Sequence, residues 1–161
     1  MSYHLIIIVI RPEAGRLYAT IPRLSMEWSL KYQIKLLDIS FTNWFENAFQ
    51  FTTGTDDVRI PHLTIFSTRK IEIDNKEGTV YNLRFYNTFY MEVNKTHCFE
   101  QNQKYIGGGQ YLYNIVIDGV EVMSKINTDA KQYYNVKLYM GMVNRKSAPV
   151  EITNFEHTNF L

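Results

Sequence analysis

The chain has 161 residues, a length that suits one domain and leaves little room for a second. Hydrophobic residues make up 45% and charged residues 20%, which excludes both a disordered chain and a membrane-resident one. Lys and Arg number 17 against 16 Asp and Glu, so a net charge of +1 leaves no electrostatic footprint for nucleic acid or an anionic membrane.

Twelve tyrosines, ten phenylalanines and two tryptophans point to β structure, because aromatic side chains suit a pleated, half-buried surface. The first apolar run, Leu5–Ile10, has six residues, no basic segment before it and Arg11-Pro12-Glu13 after it. A secretory leader carries an apolar region of roughly 7–15 residues ending in small residues, so the run is expected to be a buried strand. On that reading a secreted protein would be represented here by its mature form. Arg16–Ile21 follows as a strand. From Leu24 to Leu36 apolar and polar residues alternate without a break, the pattern of a strand or strand pair with one buried face. Further strands are expected at Ala48–Thr52, His62–Ser67, Lys70–Asp74, Tyr81–Phe85, Met91–Thr96, Asn135–Met140 and Val150–Asn154. Tyr111, Tyr113, Ile115 and Ile117 share a face, and Asp118-Gly119 then leads to Val120 and Val122, a strong hairpin signal. Turn chemistry marks Asn75–Gly78, Gly107–Gly109 and Asn144–Ser147, and no window carries a capped helix. Short strands at such spacing make residues 1–161 a single all-β domain, an antiparallel two-sheet sandwich or a barrel.

Glu72-Ile73-Asp74-Asn75-Lys76-Glu77 resembles the E-x-D-x-x-E motif of laminarinase-type (family 16) glycoside hydrolases. That chemistry needs its acids on one strand face inside a cleft. Asn75 and Lys76 replace the apolar residues that would keep the second half in a strand, so the segment reads as a hairpin tip and no catalytic residue is assigned. His4, His62, His97 and His157 lack metal-ligand spacing and read as surface or edge residues. Cys98 rules out an internal disulfide and can pair only with another chain. Its neighbour His97 points to the opposite face of a strand, so the two do not activate each other. Gly107-Gly108-Gly109 lacks the Lys-Ser/Thr and helix of a phosphate loop. Asp56 and Asp57 are the candidate calcium ligands, against the alternative of a solvated loop pairing with Arg59. Asn94-Lys95-Thr96 is a glycosylation sequon. Trp44, after Phe41-Thr42-Asn43 and before Glu46-Asn47, is the candidate sugar platform, although a lone Trp more often fills a core.

Trp44 with Phe49-Gln50-Phe51-Thr52-Thr53-Gly54, then Arg59-Ile60-Pro61, and the closing stretches Tyr111–Gly119, Asn135–Tyr139 and Val150–Asn154 resemble the concanavalin-A-like jelly-roll superfamily. The likeness is to its laminin-G/pentraxin-type modules of animal, including marine invertebrate, extracellular proteins. The galactose motif of galectins, which share this architecture, is absent. The resemblance implies a secreted, non-catalytic recognition module for glycans, with protein adhesion or a structural matrix role as the alternative and a family-16-like hydrolase third. Its implied ligand residues here are Trp44, Asp57 and Arg59, and its implied partners are a glycan or an extracellular protein. Neither nucleic acid nor membrane insertion is expected. No cofactor is expected beyond calcium at Asp56 and Asp57, and edge strands invite a homo-oligomer.

Overall fold

A computed structural model describes residues 3–54, 58–77, 80–141 and 146–160, with every side chain among them except those of Tyr3, His4, Glu77 and Asn87. Twelve strands follow in order: β1 (Tyr3–Ile10), β2 (Arg16–Leu24), β3 (Glu27–Leu36), β4 (Phe45–Thr52), β5 (Val58–Phe66), β6 (Lys70–Glu77), β7 (Val80–Tyr90), β8 (Thr96–Gly107), β9 (Gln110–Ile117), β10 (Val120–Asn127), β11 (Tyr133–Met140) and β12 (Val150–Phe160). They form two antiparallel six-stranded sheets, ordered β1-β12-β3-β8-β9-β10 and β2-β11-β4-β5-β6-β7. Among the described residues there is no helix.

Alternation builds the core. Trp28, Leu30, Tyr32, Ile34 and Leu36 on β3 turn inward and are fully buried, facing Phe49, Phe51, Leu63, Ile65, Ile71 and Ile73 of the second sheet. Leu24 is buried too but ends β2, so the unbroken alternation of the sequence runs through a turn at Ser25-Met26. An aromatic cluster fixes the sheet-to-sheet contact: Phe155 lies 5.5 Å from Phe49, 5.9 Å from Tyr32 and 6.1 Å from Phe51, ring centre to ring centre. Asp118 (φ 51°) and Gly119 (φ 81°) both take positive φ, as the hairpin turn between β9 and β10 requires. Gly107, Gly108 and Gly109 do the same between β8 and β9.

Four expectations need correction here. β1 is an edge strand and not a buried one: Ile8 is 75% exposed and Ile6 and Val9 are exposed with it, because the strand ends its sheet and has a neighbour on one side alone. Asn75, Lys76 and Glu77 belong to β6 and not to a turn, because cross-strand pairing outweighs local turn chemistry; Gly78 lies outside the described residues. Residues 91–95 connect strands, while the twelve-residue β8 follows them. Its inward positions include Gln101 and Gln103, which hide the apolar period. Gln101 is nonetheless satisfied, donating to Tyr32 Oη (3.0 Å) and accepting from Tyr113 Oη (3.2 Å). The histidines are not surface residues: His62, His97 and His157 are buried, and the His4 side chain lies outside the described residues. Cys98 is exposed opposite His97, as strand parity requires.

Phe155→Ala should cost about 3–5 kcal/mol, the range for deleting a fully buried phenyl ring. Urea unfolding checks this through a lowered midpoint at unchanged slope.

Candidate functional site

The second sheet turns its other face outward, and on β4 to β7 that face is polar, aromatic and largely shielded. Strict alternation on β6 alone would bring Glu72, Asp74 and Lys76 to it, between the inward Ile71 and Ile73. The neighbouring strands contribute through bulges. On β5 the register slips between Arg59 and His62, so two residues three apart face the same way: Arg59 opposes Lys76 and His62 opposes Asp74. Asn82 is the extra residue on β7, which brings Tyr81 beside Lys76 while Arg84 stays opposite Asp74. Ala48 is the extra residue on β4, so Asn47 and Gln50 both stand on the outward side, opposite Thr64 and His62.

These residues join in two linked clusters. In the first, Asn47 Oδ1 accepts from His62 Nε2 (2.6 Å) and Thr64 Oγ1 (2.9 Å). His62 Nδ1 faces Asp74 Oδ2 at 3.5 Å, and the same oxygen lies 3.5 Å from Arg59 Nη1. In the second, Arg84 donates to Glu72 through Nε (2.8 Å) and Nη2 (3.2 Å), a two-point clamp. Its guanidinium lies between the rings of Tyr81 (4.6 Å) and Tyr86 (4.7 Å). Beyond Tyr86 the face becomes apolar: Phe66 packs 5.6 Å from Tyr86, 5.4 Å from Trp44 and 6.0 Å from Phe45. All of these residues except Asn47 and Asp74 line an open cleft of about 320 Å³.

The two carboxylates are driven apart. Burial raises Glu72 above the usual carboxylate range, Arg84 offsets part of that rise, and the charge of Asp74 adds to it. Burial acts on Asp74 in the same sense, but the hydrogen bond and charge of His62 and the charge of Arg59 outweigh it and hold Asp74 low.

Trp44 is 66% exposed at one end of the cleft, pinned by the bond from Ser67 N to its carbonyl (2.9 Å). It is therefore not a core plug, and the core position belongs to Trp28. Arg59 lines the same cleft. Asp56 and Asp57 lie outside the described residues, as does the side chain of Glu77. Among the described residues no three His, Cys, Asp or Glu side chains converge as metal ligands. The sequence reading missed Asn47, His62, Tyr81, Arg84 and Tyr86. The one available signal was the polar period of Glu72, Asp74 and Lys76 along β6. A second groove of about 300 Å³ holds Tyr105 and Tyr111, but its Arg23 and Gln132 are exposed and bonded to each other (2.7 Å).

No family model matches the chain, and no curated protein does either. Solved structures do. An endo-β-1,4-glucuronan lyase from the fungus Trichoderma reesei superposes with a TM-score of 0.62 at 12% identity, over 99% of this chain and 80% of the lyase. A heptameric SAP-like pentraxin from Limulus polyphemus gives 0.58 at 12%, over 86% of this chain and 66% of its own. A sialidase from Trypanosoma rangeli gives 0.56 at 12%, over 81% of this chain and 20% of the enzyme. This chain thus spans about a fifth of the sialidase and about two thirds of the pentraxin. What they share with it is the fold, a concanavalin-A-like jelly roll.

A pH test follows from the carboxylate pair. Asp74, held low in the folded state, contributes stability that is present above its unfolded value and lost as pH falls through its folded value. Glu72, held high, works in the opposite sense, adding stability as pH falls through its folded value. Denaturant unfolding across the acid range should show a flatter loss of stability for Asp74→Asn than for wild type, and a steeper one for Glu72→Gln.

Proposed function

We propose that the chain is a non-catalytic recognition module that holds a glycan in the cleft on the outward face of β4 to β7. The observation that carries this reading is the placement of Trp44, Phe66 and Tyr86 beside the fixed polar groups of Arg59, His62, Thr64 and Arg84. Aromatic rings supply area to the apolar faces of sugar rings, and oriented donors and acceptors select hydroxyl positions. An extracellular setting goes with it, and the sequon gives that setting a handle: Asn94, Lys95 and Thr96 are all exposed, with Asn94 in a turn at φ 62°.

The hydrolase reading draws support from one observation, the opposed carboxylates Glu72 and Asp74, and the similar structures do include two enzymes. Two features weigh against it. Arg84 engages both oxygens of Glu72, and strand parity gives the third outward position of β6 to Lys76 in place of an acid. Association with a protein draws on the exposed apolar edge of β1, which offers unpaired backbone and Ile6 and Ile8 to a second copy.

Per-site affinity should be weak, roughly 0.1–1 mM, with multivalent display gaining on the order of 10²–10⁴. Glycan-array screening of a multimerised form is expected to give hits that Trp44→Ala loses while remaining folded. Turnover of a glucan abolished by Glu72→Gln would instead favour the enzyme. Capture of a protein partner with no glycan bound would favour adhesion.

A further inference from the structure

We propose that the sugar held in this cleft is anionic, its carboxylate or sulfate group engaged by Arg59 and Arg84 of the lining, with Lys76 beside them on the same face. The inference rests on the glycan reading above and names the class of glycan. Three adjacent strands each supply one cation to the same face. Arg59 and Lys76 are direct partners across the β5–β6 ladder, and Lys76 and Tyr81 are direct partners across β6–β7. Arg84 stands opposite Asp74, one step along the same face. With strands about 4.8 Å apart, the three charges fall within the reach of one acidic sugar unit and its neighbour.

Depth decides the sign that a ligand meets. The side chains of Asp74 and Glu72 are 0% and 8% exposed, whereas those of Arg59 and Arg84 are 18% and 42% exposed. Asp74 therefore lies beneath the guanidinium groups, and Glu72, which itself lines the cleft, has both oxygens engaged by Arg84. They fix the cations in place and leave their outer edges to the cleft. Donor capacity remains on both arginines. A guanidinium carries five N–H donors. Glu72 engages Arg84 through Nε and Nη2 alone, and Nη1 has no partner among the described residues. Arg59 makes a single long contact at 3.5 Å, and its buried Nε has no partner among the described residues. Lys76 bonds to no carboxylate there and lies 5.3 Å over the Tyr81 ring. The Tyr81 and Tyr86 rings hold the Arg84 plane in one orientation, and a planar fork so held matches the paired oxygens of a carboxylate or sulfate.

The test is a glycan array built of matched twins: uronan oligomers beside their methyl esters, and sulfated galactans beside unsulfated ones. Multimerised protein should prefer the charged twin at least tenfold, and the preference should shrink as salt rises from 50 to 500 mM, because exposed charges are screened. Arg84→Gln should remove most of the preference. Lys76→Gln, at a half-buried side chain that stands outside the lining and bonds to no carboxylate among the described residues, should also shrink the preference while binding to the neutral twins changes less than twofold. This keeps the test open should Arg84→Gln destabilise the fold. Preference among uronates or among sulfates identifies which anion the cleft takes, and either supports the proposal. Equal binding of charged and neutral twins, or equal loss of both in the variants, overturns it and leaves the glycan reading standing. Absence of binding to any member of the array overturns both.

Discussion

Three β-bulges decide what this protein can hold. A strand divides its residues between two faces with a period of two, and a sheet whose inner face must fill a core offers function only the other half. The extra residues near Ile60-Pro61, at Asn82 and at Ala48 each shift that division by one. Without them Arg59 would turn away from His62, Tyr81 from Arg84, and Asn47 from Gln50. The approach of Arg59 to Asp74 and of Tyr81 to Arg84 depends on these shifts, while the inward residues on either side keep their places in the core. The cleft is thus a product of register, and its residues are scattered in the sequence because register is a property of strand pairs.

This explains what a single sequence could and could not disclose. The core of β3 and the turn at Asp118-Gly119 were legible, since both express local rules: alternation, and the need for positive φ at a two-residue turn. The site was legible only on β6, the strand that brings its residues forward by plain alternation. Arg59 stands out in the sequence for its loop, whereas the residues around its partner Asp74 carry the chemistry of a hairpin end. Asn75 and Lys76 carry turn propensity, but pairing with β5 and β7 on both sides keeps β6 extended through Glu77. His62 looks like any solvated histidine until the strands beside it supply Asn47 and Asp74.

Strand β8 shows the same limit inside the core. Glutamines at inward positions break the apolar rhythm, and a reader of composition shifts the strand toward Met91–Thr96. Gln101 is tolerated because Tyr32 and Tyr113, from the two strands beside it in the sheet, reach its amide with their hydroxyl groups. A buried amide so satisfied favours one register of β3, β8 and β9 over its alternatives, since a slip would leave these polar atoms without partners. The outward cleft and the inward amide therefore obey one requirement, that polar groups removed from water find each other across strands.

The contrast between the two tryptophans gives the molecule an optical property of its own. Trp28 is sealed between the sheets, while Trp44 stands at the mouth of the cleft with two thirds of its surface in solvent. Intrinsic fluorescence then comes from one shielded and one open indole. A soluble quencher such as acrylamide reaches only the open one, so the quenchable fraction of the emission reports on the state of the cleft. Whatever settles over Trp44 shields it, and occupancy of the cleft becomes measurable in solution without any label.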